Sequence, residues 1–127
     1  MQLRGVGIGR GIALGPVVRM PEPLPEPLDT PSALGVSAEK ERAAVSLAAA
    51  LALIRQRGER AGGTAKDVLD AQALMAEDPT LKDDITARID AGKTAERAVF
   101  EAFAGFRDML SALGGYMGER AGDLDDV

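Results

Sequence analysis

Residues 66–89 read KDVLDAQALMAEDPTLKDDITARI and predict two helices that meet at a corner, Asp78-Pro79. Proline is tolerated in the first turn of a helix, because the N–H that it lacks would have no intrahelical partner there. An aspartate just before the proline can accept hydrogen bonds from the N–H groups that follow. The stretch therefore predicts one helix that ends near Glu77 and another that begins at Pro79.

The two predicted helices differ in how much of their surface is apolar. After the corner, Leu81, Ile85 and Ile89 recur every four residues and form one apolar face. Before the corner, apolar residues cover two sides of the helix. They are Val68, Ala71, Leu74 and Met75 on one side and Leu69, Ala73 and Ala76 on the other. A surface helix needs only one such side, so the second is either additional core or a surface for a partner.

The composition excludes several kinds of chemistry. The chain has 127 residues, a net charge of −5, no cysteine, no histidine, and three Phe and one Tyr as its only aromatic residues. An acidic surface disfavours nucleic-acid binding, and scarce aromatic residues disfavour stacking on bases. Without cysteine or histidine there is no thiol nucleophile, no Ser-His-Asp triad, no phosphohistidine and no metal bound by thiolate or imidazole.

The location of the chain can also be predicted. Glycine and arginine interrupt the apolar residues at the N-terminus, which is not typical of a secretory signal. The longest apolar run, residues 48–54, is too short to cross a bilayer. We therefore expect a soluble, cytoplasmic chain without membrane insertion.

Residues 1–20 predict a β-hairpin with its turn at residues 9–11. Its strand-forming side chains are Leu3, Val6, Ile8, Ile12, Leu14, Val17 and Val18. The glycines between them match no phosphate-binding loop. Because a lone hairpin is marginal in water, we expect it to need more sheet from elsewhere. Residues 21–36 hold five of the seven prolines, repeat PEPL twice, and predict an extended, semi-stiff linker.

The first two helices have predicted starting points. Ser37 is a suitable N-cap for a first helix over residues 38–61, and Gly62-Gly63 ends it. Thr64, with Asp67 three residues later, resembles a capping box at the start of the helix that leads to the corner.

Thr94 is the predicted N-cap of a fourth helix, over residues 95–113. This helix has the clearest apolar pattern in the chain. A fifth helix is predicted from Tyr116, and we expect it to be truncated at the end of the sequence. The expected fold is mainly α, an antiparallel bundle of four to five helices, kinked at Asp78-Pro79, after a short N-terminal β-hairpin. Its expected parts are residues 1–20, 21–36 and 37–127.

Three segments in order resemble one protein family over nearly the whole chain. They are GVGIGRGIALGPVV (residues 5–18), AQALMAEDPTLKDDI (residues 71–85), and TAERAVFEAF with YMGERAGDLDDV (residues 94–103 and 116–127). Together they resemble the N-terminal region of enzyme I, the phosphoenolpyruvate-protein phosphotransferase of the sugar phosphotransferase system.

The resemblance implies a division of labour. In that family an α/β part carries the histidine that takes phosphate from phosphoenolpyruvate, and the resemblance implies that the hairpin of residues 1–20 belongs to such an α/β subdomain, missing from this chain. A helical part, inserted after the first strands, docks the carrier protein HPr for phosphoryl transfer from histidine to histidine. This chain would be the HPr-docking module for sugar uptake, non-catalytic alone and associated with the remainder of enzyme I. The active histidine, Mg²⁺ and phosphoenolpyruvate would all belong to missing parts, and no cofactor to this chain.

The resemblance also implies which residues meet the carrier. Carried over position by position, the family's docking surface falls on Ala71, Leu74, Met75, Asp78, Leu81, Leu110, Met117 and Arg120. The second apolar side of the helix before the corner agrees with this assignment. Gly63, Thr64 and Thr80 stand where many relatives carry acids, so the charged part of the interaction is expected to differ more than the apolar part.

Two alternatives remain open at the level of sequence. The second apolar side can instead pack against missing parts of the parent, in which case the chain is a structural helical domain that binds no carrier. A docking module for a related phosphotransfer protein, serving dihydroxyacetone phosphorylation, would carry the same residues.

Overall fold

The computed structural model describes residues 4–6, 9–12, 14–19 and 21–127, and within them it shows five α-helices and a 3₁₀ helix. The helices are α1 (Val36–Ala61), α2 (Gly63–Ala76), α3 (Pro79–Asp90), α4 (Ala95–Leu113) and α5 (Gly115–Arg120), followed by the 3₁₀ helix Ala121–Asp126. Consecutive helices pack in pairs, α1 on α2 and α3 on α4, and α1 also contacts α3 and α4.

The predicted corner is confirmed. Helix α2 ends at Ala76, and α3 begins at Pro79. The Asp78 carboxylate accepts a hydrogen bond from the backbone N–H of Thr80 at 2.7 Å, as an N-cap should. The predicted boundaries of α4 are also confirmed, and the Thr94 hydroxyl accepts a hydrogen bond from the Arg97 N–H at 3.2 Å.

Two predicted N-caps are wrong. Helix α1 begins one residue before Ser37, its N-cap is Gly35, and no side chain caps it. Helix α2 begins at Gly63, one residue before Thr64, again without a side-chain cap. The glycine turn permits this early start, because Gly62 and Gly63 have φ of 66° and 53°, a left-handed conformation that strongly favours glycine.

The predicted N-terminal hairpin is not seen in the described residues. Residues 4–6, 9–12 and 14–19 form no strand, while Leu3 and Ile8 lie outside the described residues. Val6, Ile12 and Leu14 are more than nine-tenths exposed. No sheet in the described part of the chain supplies the partner strands that a marginal hairpin requires.

The core consists of three adjoining clusters of buried side chains. The first joins α1, α3 and α4 and contains Ala43, Leu81, Ile85, Ile89, Ala95, Ala98 and Ala102. The second joins α1 and α2 through Leu51, Ile54, Ala73 and Ala76. The third joins the end of α4 to the 3₁₀ helix through Leu110, Ala121 and Leu124. Phe103 packs against all three clusters and therefore links them.

The end of the chain differs from the uninterrupted fifth helix that was predicted from Tyr116. Helix α5 has six residues and is succeeded by a 3₁₀ helix of the same length. The 3₁₀ helix contacts both α2 and α4. The side-chain amide of Gln72 donates a hydrogen bond to the Asp123 carbonyl oxygen at 2.6 Å, which ties the 3₁₀ helix to α2.

Candidate docking surface

The second apolar side of α2 is partly core and partly exposed. Met75 packs against the cluster formed by Leu110, Ala121 and Leu124, so it joins α2 to the end of the chain. Leu74, its neighbour, is 68% exposed, a large value for a leucine within a helix. Of two adjacent residues on this side, Met75 therefore contributes to the core, and Leu74 remains exposed to solvent.

The eight residues predicted to meet a partner have three different environments. Leu74 and Met117 are exposed. Ala71, Met75, Asp78 and Arg120 are half-buried. Leu81 and Leu110 are 1% and 2% exposed, and they lie in two different core clusters. A side chain buried to that degree offers no surface to a partner in this conformation, so we place Leu81 and Leu110 in the support of the surface rather than on it.

The guanidinium of Arg120 is held in place by two neighbours. It pairs with the Asp123 carboxylate at 3.1 Å and lies over the Tyr116 ring, 5.0 Å from its centroid. The hydrogen bond with Asp123, followed by the interaction with Tyr116, raises the pKa of Arg120 above its usual value. A fixed, partly exposed guanidinium is suited to a directed interaction with an acceptor.

Three further apolar side chains are exposed at this end of the bundle and were missed from the sequence. They are Met109, Leu113 and Tyr116. Leu113 immediately precedes Gly114-Gly115, where α4 stops, and Tyr116 follows that turn. An apolar residue on each side of a helix-ending glycine pair was the available signal. We use the name apolar end for the set Leu74, Met109, Leu113, Tyr116 and Met117.

A second concave surface lies between α1 and α3. Its volume is about 550 Å³, and Leu47, Leu51, Ile85 and Ile89 contribute apolar side chains to its lining. The Arg55 guanidinium, also in the lining, pairs with the Glu77 carboxylate at 2.6 Å. None of the eight predicted residues lines this groove, so it is separate from the apolar end.

Neither metal ligands nor a membrane-crossing helix is found in the part of the chain that the structure describes. Within those residues no group of three or more carboxylates is arranged to hold a metal ion. No helix there combines the length and the hydropathy needed to span a bilayer.

The fold and this surface together define a helical-bundle domain with an exposed apolar end. The sequence matches the family model "PEP-utilising enzyme, N-terminal" over residues 4–120, and the chain belongs to that family. The resemblance noted from three short segments is thereby confirmed.

Two curated relatives and one solved structure extend the comparison. The chain is 45% identical over 126 residues to a phosphoenolpyruvate-protein phosphotransferase of Streptomyces coelicolor, covering 98% of the chain and 23% of the relative. It is 38% identical over 122 residues to one of Haloferax volcanii, covering 95% and 21%. The structure "N-terminal domain of Enzyme 1 - Nitrogen" superimposes with a TM-score of 0.70 at 28% identity, covering 78% of this chain and 43% of that one. The chain thus spans less than a quarter of the curated relatives that it matches.

Proposed function

We propose that this chain is the carrier-docking module of a phosphoenolpyruvate-protein phosphotransferase, which positions HPr for phosphoryl transfer from histidine to histidine in sugar uptake. The observation that carries the proposal is the apolar end. Its five large apolar side chains, each at least 41% exposed, belong to α2, α4 and α5. We infer that these side chains lie close enough to form one apolar patch, and a contiguous patch of this kind marks a site of interaction.

The contact surface can now be specified more closely than the resemblance allowed. Leu74 and Met117 provide the predicted apolar contacts, and Tyr116 and Leu113 extend them. Methionine suits such a site because its unbranched side chain adapts to a partner's shape. The surface is supported by the packing of Leu81, Leu110 and Met75, which sets the positions of α2, α3, α4 and the 3₁₀ helix.

Charge adds direction to this contact. Asp108 and Glu119 are exposed near the apolar end, and the net charge of the chain is −5. Charges at the rim of an interface raise the association rate and make it depend on salt, more than they raise affinity. We therefore expect a small, transient interface with a partner that carries positive charge around an apolar centre.

The test is a nuclear magnetic resonance titration of the isotope-labelled chain with unphosphorylated HPr. Saturable shifts that cluster on residues 71–78 and 109–120 are expected. Leu74→Asp should weaken binding roughly tenfold or more, because a carboxylate would be buried without a partner. Circular dichroism should stay unchanged, since Leu74 is mostly exposed.

The matched control is Val45→Asp. Val45 is 65% exposed on α1, outside the apolar end, and should tolerate the same change without loss of binding. If the folded chain shows no shifts with HPr, or if both variants weaken binding equally, docking at the apolar end is refuted. The exposed side chains would then be assigned to packing against other parts of the parent.

A further inference from the structure

The proline-rich connector is fastened to the turn between α3 and α4. The Glu26 carboxylate pairs with Arg97 at 2.5 Å, and the Asp29 carboxylate pairs with Lys93 at 3.0 Å. The Arg97 guanidinium also donates to the Pro27 carbonyl oxygen at 2.9 Å. Further along, the Ser32 N–H donates to the Gly92 carbonyl oxygen at 2.9 Å. Residues 26–32 thus lie against the bundle rather than extending freely from it.

The two cations that hold the connector are themselves fixed by one carboxylate. Glu101 on α4 accepts from Lys93 at 2.9 Å and from Arg97 at 2.7 Å. Its other oxygen accepts from Arg88 on α3 at 2.6 Å. Because Glu101 and Arg97 each have only 16% of their side chain exposed, the cations are presented to the connector in one arrangement.

Apolar burial contributes little to holding the connector. Leu24 and Leu28, the leucines of the two PEPL repeats, are 93% and 78% exposed. The acids that reach the bundle are also largely exposed, at 60% for Glu26 and 58% for Asp29. Prolines within the segment limit the conformations of the released chain and so lower the entropic cost of closing it. Two ion pairs with largely exposed acids, which salt screens, therefore hold Glu26 and Asp29. Ser32, in contrast, is held by hydrogen bonds to Gly92 and to the buried Glu39 carboxylate.

We propose that residues 26–29 form a strap with two states, closed on the α3–α4 turn by the Glu26–Arg97 and Asp29–Lys93 ion pairs and opened when these pairs are screened or displaced, while Ser32 stays attached to the bundle. The strap controls the direction in which residues 21–25 leave the helical bundle. Nothing in this inference requires the chain to bind a carrier.

The position of the strap determines how far the N-terminal segment lies from the apolar end. Helix α4 runs from the strapped turn to the apolar end. With 19 residues it measures about 28 Å at about 1.5 Å per residue. A closed strap therefore holds the departing N-terminal segment near the bundle end far from Leu74 and Met117, whereas an open strap allows a range of positions.

The experiment measures the distance between two spin labels by pulsed electron paramagnetic resonance. Leu28→Cys and Ala87→Cys provide exposed labelling sites on the strap and on α3, and the chain has no native cysteine to interfere. At about 0.02 M NaCl a narrow distance distribution is expected. At about 0.5 M NaCl, where the screening length is several-fold shorter, the distribution should broaden and move to longer distances.

A substitution confined to the strap separates opening from unfolding. Glu26→Gln with Asp29→Asn removes both pairs without altering the bundle, and it should give the broad distribution already at low salt with unchanged circular dichroism. Glu22→Gln is the matched control, because Glu22 occupies the same place in the first PEPL repeat and should leave the narrow distribution intact. A distribution that stays narrow in the double variant, or one that is broad in the wild type at low salt, would overturn the proposal.

Discussion

The two ends of the helical bundle are built on opposite principles. We call the end of the bundle at the α3–α4 turn the charged end. There the carboxylates of Glu39 and Glu101 accept hydrogen bonds or form ion pairs with residues of α1, α3, α4 and the connector. At the apolar end, Leu74, Leu113 and Tyr116 face solvent. The same α4 helix reaches both ends. The charged end therefore pairs its polar side chains with each other, whereas the apolar end leaves apolar side chains exposed to solvent.

Glu39 illustrates how completely the charged end is satisfied. Its side chain is almost fully buried, yet it accepts from the Ser32 hydroxyl at 2.6 Å and from the Ala95 N–H at 2.9 Å. The Arg42 guanidinium supplies charge at 2.7 Å. The Ser32 hydroxyl, followed by the Ala95 N–H, lowers the pKa of Glu39, against the opposing effect of burial. Glu39 therefore acts as a cap for α4 that is supplied by α1.

The largest expected effect tests whether the leucines around the corner divide into support and surface. Leu81→Ala should lower the free energy of unfolding by about 2–5 kcal/mol, because it leaves a cavity in the core. Leu74→Ala, the same change seven residues earlier, should cost about 0.5 kcal/mol or less. Urea unfolding followed by circular dichroism measures both. Equal costs would contradict the division between the buried Leu81 and the exposed Leu74.

The next effect concerns the charged end. Glu39→Gln should lower the melting temperature by several degrees, since the amide retains acceptor ability on one atom only and removes the charge that pairs with Arg42. Glu41→Gln, on the exposed side of the same helix, is the matched control and should change little. The comparison uses thermal unfolding at neutral pH. A Glu39 variant as stable as the control would show that the buried carboxylate is dispensable.

Local signals predicted most of the helical architecture. Three helix boundaries depend only on residues a few positions apart, and all three were predicted correctly: those at Asp78-Pro79, Thr94 and Gly114. Ser37 and Thr64 failed as caps because the glycines before them allowed each helix to begin earlier. The N-terminal hairpin is not seen in the described residues, where no further strands support a pair that is marginal alone.

The site was less predictable than the fold, because the periodicity of apolar residues does not distinguish side chains exposed on a surface from side chains buried below it. Leu74, Met75 and Leu81 are all apolar and close in sequence, yet one is exposed, one half-buried and one fully buried. For Met75 the contact of α2 with the 3₁₀ helix decides burial, a contact that Gln72 also makes, whereas Leu81 is buried between α1, α3 and α4. The charged end was missed for a related reason, because Glu39 meets Ala95 across 56 residues of sequence.

As the pH falls, the ion pairs of the charged end should be lost before the packing of the apolar end is affected. The cations Lys93 and Arg97, with Arg88, lower the pKa of Glu101 to about 2, below an ordinary glutamate value of about 4.3. A lowered pKa means that the stabilisation is present above about pH 4.3 and is lost as the pH falls from there through 2. Glu101→Gln should therefore reduce the slope of unfolding free energy against pH in that range.

Part of that slope should persist in the Glu101 variant, because the pKa of Glu39 is lowered as well, first by its hydrogen bond with Ser32. Glu119→Gln, an exposed position in α5 beside the apolar end, is the matched control for loss of one carboxylate. Denaturant titrations between about pH 2 and pH 5 measure the slopes. A Glu101 variant with the slope of wild type would contradict a role for this network in acid sensitivity.

The smallest expected effect compares the N-caps of α3 and α4. Asp78→Ala should cost about 1 kcal/mol, the usual value for losing a cap, since Asp78 is the only side chain that caps the start of α3 in the described residues. Thr94→Ala should cost less than Asp78→Ala, because the Glu39 carboxylate still accepts from the Ala95 N–H at 2.9 Å. Thr94→Ala in a Glu39→Gln background should then cost more than Thr94→Ala alone, and a double-mutant cycle measures that coupling. If the two losses add without coupling, Glu39 and Thr94 do not share the task of capping α4, and the charged end is less interdependent than its geometry indicates.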